Sequence, residues 1–244
     1  MASSLTPSQR PVASARNRLW LVAYGLVMLA QLALIVFGLP PQFAFVSTWL
    51  VAAVLAVWVW RARGPGLLVG ALLLCWVGDV LGNPRLIGIG PYGLFLSVAA
   101  FAAANVVLGI LFVRSGALGF MRSSADGGRR WQAAIGVLYL VVSAVALAVT
   151  WSNLDPALRL LGLVYLMLLV VTATTALMLD TWTGVGAMLF FASHLMVVLE
   201  VGGRVDGTAT LFRLSFWVLY MLGLLLIAIR MVERERGELR PEAV

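Results

Sequence analysis

The chain has 244 residues, of which 62% are hydrophobic and 11% charged, and a formal net charge of +7. That balance excludes a water-soluble globular domain and implies an integral membrane protein. Its apolar runs approach the ~20 residues that a helix needs to cross a hydrocarbon core of ~30 Å, and they lack the alternating polarity of barrel strands.

Met1 to Asn17 is polar, with Ser, Pro and Arg, and reads as a disordered cytoplasmic tail. No convincing cleavage site follows it, and the first apolar run is long enough to span, so an uncleaved first helix is expected rather than a signal peptide. Spans are expected at about Leu19 to Gly38, Phe43 to Trp60, Leu67 to Gly82, Gly93 to Val113, Trp131 to Thr150, Leu158 to Met178, Trp182 to Val201, and Leu211 to Ile229. The predicted fold is an all-α integral membrane protein of about eight transmembrane helices over residues 18–230, followed by a charged cytoplasmic tail over 231–244.

Eight crossings bring both termini to one side of the membrane. Thirteen arginines then lie in the two tails and the loops of that side, whereas four, Arg85, Arg159, Arg204 and Arg213, lie on the other. The positive-inside rule puts both termini in the cytoplasm of a multi-pass cell-membrane protein. The same spread through short loops, rather than one basic stripe, argues against nucleic acid as a partner.

The connection 114–130 carries the Gly, Ser and Asp of a flexible linker and divides the spans into halves 18–113 and 131–230. A shift of 115 residues lays Ala71 to Asp79 over Gly186 to His194, the third span of each half. Both spans run outward from the cytoplasm, so two parallel four-helix repeats are one reading, and a chance match between apolar stretches is the other.

A charge near mid-membrane costs at least a few kcal/mol, so it normally faces protein or water and has a partner. Asp79 lies ~18 Å along its span at ~1.5 Å rise per residue, and His194 lies about equally far along the seventh. Asn105, entering from the opposite side, is within ~6 Å of the same depth. Tyr139 and Ser143 on the fifth span, and Tyr165, Thr172 and Thr175 on the sixth, offer polar stripes toward the bundle interior. On the seventh, Ser193 and Glu200 share a face.

Each group also has a plain packing reading. Small and hydroxyl residues pack helices tightly, Asn105 can make a helix-to-helix hydrogen bond, His194 can bond a backbone carbonyl, and Glu200 can cap its span beside Arg204. Asp79 resists such a reading best. If Asp79 and His194 meet, they form a pair able to hold or hand over one proton, as general acid and base catalysis requires. One histidine, one cysteine (Cys75) and scattered carboxylates do not make a four-ligand metal site, and no phosphate loop or serine elbow is present, so no metal and no cofactor are expected.

These residues resemble the YhhN-type membrane proteins, the family that includes lysoplasmalogenases. The resemblance rests on Gly78-Asp79, then Ser97, Phe101, Asn105 and Leu108, then Tyr165 and Met167, then Gly186 to Ser193-His194, and finally Tyr220 and the apolar run after it. The sequence departs from the family pattern at three positions: Asn105 stands for an intramembrane His, Leu108 for a Tyr, and His194 for a second acid. The resemblance implies cleavage of the vinyl ether bond of a lysoplasmalogen or related lysolipid, by protonation of the enol ether carbon and attack of water, giving an aldehyde and a glycerophospho head group. Asp79 and His194 would be the catalytic residues, and Asn105, Tyr165 and Ser193 would line the substrate cavity.

The expected partners are membrane lipids and an amphiphilic small-molecule substrate, with arginines at the cytoplasmic rim attracting anionic head groups. Two other readings stand beside the hydrolase. A non-enzymatic carrier or lipid-handling protein with a midplane polar site would show a path to both aqueous sides. A purely structural membrane partner would show no cavity beside Asp79. The oligomeric state is left open.

Overall fold

The computed structural model describes residues 15–38, 41–82, 92–117 and 130–237. Among these residues there are helices and turns and no strand. Eight α-helices follow in chain order: α1 Ala15–Val36, α2 Pro41–Arg61, α3 Gly66–Leu81, α4 Tyr92–Arg114, α5 Arg130–Thr150, α6 Pro156–Leu179, α7 Thr181–Val201 and α8 Thr210–Glu235. A short 3-10 turn, Trp151–Asn153, follows α5. The predicted tail over 1–17 lies mostly outside the described residues, as do 118–129 of the linker and 238–244 of the C-terminal tail.

Every predicted span coincides with a helix, but not all of them have spanning length. Six helices, α1 and α4 to α8, are long and apolar enough to cross a membrane. The described apolar parts of α2 and α3, Ser47–Arg61 and Gly66–Leu81, are shorter. At ~1.5 Å per residue α3 rises only ~24 Å, less than a ~30 Å core. The chain is therefore a multi-pass membrane protein, with six helices meeting the length and hydropathy requirement among the described residues.

Helix α8 runs beyond its predicted end at Ile229 to Glu235. The last turns are amphipathic: Met231 and Val232 are buried, while Arg230 pairs with Glu233 one turn on at 2.9 Å. A hydropathy window stops where charges enter, whereas the helix continues because its other face still has something to pack against.

Neighbouring helices close a ring in the order α1, α2, α3, α4, α6, α7, α8 and back to α1, while α5 packs on α6 and α7 from outside. Along α5, Val137, Leu138, Val141 and Val145 are exposed, as suits a lipid-facing surface. The pairs α4 with α6 and α8 with α2 are equivalent under the suggested repeat, but α1 closes on α8 whereas α5 makes no comparable contact with α4. Where the ring closes, Tyr24 of α1 donates to the Met221 carbonyl of α8 at 2.8 Å. The connection between α7 and α8 is tied down by Asn153 donating to the Gly202 carbonyl at 2.9 Å and by Arg204 donating to the Val149 carbonyl at 2.6 Å.

Candidate functional site

Asp79 lies near the end of α3, thirteen residues after Gly66, and His194 is equally far from Thr181 at the start of α7. At Gly78 an added Cβ would lie 2.6 Å from the Phe101 ring, so only glycine lets α4 bring that ring beside Asp79. Ser97 donates to the Gly78 carbonyl at 2.8 Å and fixes the register of α3 against α4. The direct partner of the acid comes from the far side of the ring: the Tyr220 hydroxyl of α8 donates to Asp79 Oδ2 at 2.8 Å.

The position of Tyr220 depends on how closely α7 and α8 approach. A Cβ on Gly223 would lie 2.7 Å from the Phe190 nitrogen and 2.8 Å from the Gly186 carbonyl, which puts the two backbones in contact. One turn along α7, the His194 ring is surrounded by four aromatic rings, with centroid distances of 4.2 Å to Phe190, 5.0 Å to Phe101, 5.7 Å to Tyr220 and 5.9 Å to Tyr165.

The His194 Nδ1 atom is 2.8 Å from the Phe190 carbonyl. A carbonyl only accepts, so this contact assigns the proton to Nδ1 and leaves Nε2, in the neutral ring, as an acceptor on the opposite edge. Ser193 donates to the same carbonyl at 2.7 Å and lies 3.2 Å from His194 Nδ1.

Asp79, His194 and Tyr165 line one cavity of about 620 Å³. All of its lining residues lie in the half of the bundle remote from the described chain ends: late on α1, α3 and α7, early on α2, α4 and α8, and at Tyr165 on α6. In the opposite half the ring is filled by buried side chains such as Leu55, Leu68, Leu72, Met221 and Leu224. The cavity is one-sided. Glu200 and Arg213 line it as well, so its basic lining residue comes from the arginine-poor side and not from the rim expected to attract head groups.

The predicted site residues separate into two groups. Asp79, His194 and Tyr165 share the cavity, and the Tyr165 hydroxyl is buried without a hydrogen-bond partner among the described residues. Asn105 and Ser193 lie behind that lining: the Asn105 amide donates to the Phe101 carbonyl of its own helix at 2.9 Å, and its backbone carbonyl accepts from Thr172 at 3.1 Å. Asp79 and His194 do not bond each other directly; Tyr220 touches both. Tyr220, Phe101, Gln31 and Arg213 were not singled out for the site from sequence, although Tyr220 opens the last of the resembling motifs. Among the described residues, no three His, Cys, Asp or Glu side chains converge as metal ligands would.

Comparison with known proteins agrees with this arrangement at the level of the family. No curated protein and no solved structure matches the chain. The family model of the YhhN family matches residues 42–231, which take in α2 to α8 and every described acidic, basic and aromatic residue of the cavity. With most of its length so matched, the chain belongs to the YhhN family.

Proposed function

We propose that the protein is a lysoplasmalogenase-like membrane hydrolase that cleaves the vinyl ether bond of a lysolipid from within the cell membrane, with all eight helices crossing it. The observation that carries this reading is a carboxyl oriented by Tyr220 and an imidazole with a free acceptor nitrogen in one cavity closed at the other end. A carrier would need a route to both aqueous sides, and the packed half of the ring argues against it. A purely structural role would leave no room beside Asp79.

In the reaction, a proton held at Asp79 adds to the outer carbon of the enol ether, and the resulting oxocarbenium takes water at the carbon bonded to oxygen. His194 Nε2 accepts the proton of that water. The hemiacetal then collapses: its C–O bond to the glycerol breaks as the departing oxygen takes the proton from His194, the hemiacetal hydroxyl gives its proton to Asp79, and aldehyde and glycerophospho alcohol leave with both side chains restored. Atoms balance with one water consumed. Tyr220 holds the carboxyl in place, Ser193 and the Phe190 carbonyl hold the imidazole tautomer, and Asn105 supports Phe101 at the cavity wall. The family's second acid is replaced by His194, which serves the base role without adding a negative charge to a cavity with an apolar lining.

The test is aldehyde release by the purified protein with a lysoplasmalogen substrate, beside Asp79→Asn and His194→Ala. Both variants are expected to lose at least about a hundredfold, within the range of general acid or base catalysis. Equal rates in all three proteins would reject the assignment.

A further inference from the structure

A narrow apolar slot of about 50 Å³ adjoins the cavity, lined by Leu94 and Val98 of α4, Leu158 and Gly162 of α6, and Val197 of α7 among others. It shares Tyr165, Leu94, Val98 and Val197 with the cavity, so the two spaces meet beside the unpartnered Tyr165 hydroxyl. Gly162 opens the slot, since a Cβ there would meet nothing within 4 Å. On the same stretch of α6, Leu160 and Leu163 are exposed, and in a spanning helix they face lipid.

At the other end of the cavity the lining is charged. Among the described residues Arg213 is its one arginine, and its guanidinium makes no ion pair or hydrogen bond with another of them. Glu200 lines the same mouth, within electrostatic reach of Arg213. Arg213 stands seven residues before Tyr220, two helical turns or ~10 Å from the level of Asp79. Six bonds separate the phosphorus of a glycerophospho head from the first carbon of a chain ether-linked at the far glycerol carbon. They reach ~7 Å extended, and a guanidinium contact to phosphate adds ~3 Å.

We infer that cavity and slot together form a binding site for a single-chain phospholipid, with its phosphate on Arg213 and the first carbons of its chain passing Tyr165 into the slot beside Gly162. This deepens the hydrolase reading and rests on it for the choice of ligand. The slot, at about 50 Å³ beside a cavity of about 620 Å³, takes the first carbons of one chain. Beyond its first few carbons the chain leaves past Leu158 into lipid.

The test uses a non-cleavable ether-linked lysophospholipid carrying a photoreactive diazirine on the first few carbons of its chain, with the full-length protein in lipid nanodiscs. Irradiation is expected to give adducts in the segment 147–162, mapped by mass spectrometry. Gly162→Leu, which fills the slot with a better helix former, is expected to lower those adducts about tenfold or more. Arg213→Gln is expected to lower them about tenfold for the phosphate-headed probe, as the loss of one charge-assisted contact would, and to leave a neutral-headed analogue unchanged. Adducts confined to the exposed face of α5 at Val137, Leu138 and Val141, or insensitive to both substitutions, would overturn the inference. Because no bond is cleaved, the result is independent of turnover: slot adducts in a protein that releases no aldehyde would retain this site and reject the hydrolase.

Discussion

Asp79 was visible in the sequence because an acid amid apolar residues needs a physical reason, whereas its partner was not. A tyrosine in a membrane helix is more often an interfacial anchor or packing residue, and nothing in the spacing of α8 marks Tyr220 as reaching across the ring to α3. Asn105 shows the converse limit. Helical rise estimates its depth but not its azimuth, and its amide bonds back to its own helix. The part played by the Tyr220 hydroxyl can be isolated by experiment. Tyr220→Phe removes the donor to Asp79 Oδ2 and keeps the ring among Phe101, Phe190 and Trp217. A hydrogen bond to a charged group contributes ~1.5–3 kcal/mol, so aldehyde release should fall roughly 10- to 100-fold. The melting temperature should move far less, since the packing survives. Unchanged turnover in Tyr220→Phe would remove Tyr220 from the site.

Among the helices, what was legible was the apolar run and what was hidden was the contact. The spans stood out because each is a near-unbroken hydrophobic stretch, but uniform hydrophobicity leaves no stripe to say which face meets which neighbour. Glycine partly fills that gap. Gly78, Gly186 and Gly223 each sit where a side chain would collide with a neighbouring helix, whereas Gly162 and Gly109 meet nothing within 4 Å. Gly223→Ala therefore forces α7 and α8 apart, because the nearest atoms are the Phe190 nitrogen and the Gly186 carbonyl, which are backbone and cannot rotate away. Overpacking of this kind costs ~1–3 kcal/mol. A lower melting temperature in detergent is expected for Gly223→Ala but not for Gly162→Ala, where the added methyl has space. If both variants melt alike, the close approach of α7 and α8 is wrong.

For the molecule as a whole, the direction in which the cavity opens ties the fold to the function. Thirteen arginines on one side against four on the other predict, by the positive-inside rule, that the chain ends are cytoplasmic, and the cavity lies in the arginine-poor half, where Glu200, Arg213 and the tied α7 to α8 connection form its mouth. The arginine count leads to an expected head-group attraction at the cytoplasmic rim, whereas Arg213, the described arginine of the cavity, lies in the opposite half. Charge counts describe loops, whereas a cavity depends on how seven helices close around it. The arrangement predicts that a ligand reaches Asp79 from the outer leaflet and not from the cytoplasm. Single-cysteine reporters test this directly, since Cys75 is fully buried and should stay silent toward a membrane-impermeant maleimide. In intact cells, Thr208→Cys, in the exposed turn between α7 and α8, should label from outside, while Glu235→Cys, exposed at the end of α8, should label only after the membrane is opened. Labelling in the reverse order would place the cavity mouth on the cytoplasmic side and the arginine-rich rim outside, and would overturn access from the outer leaflet.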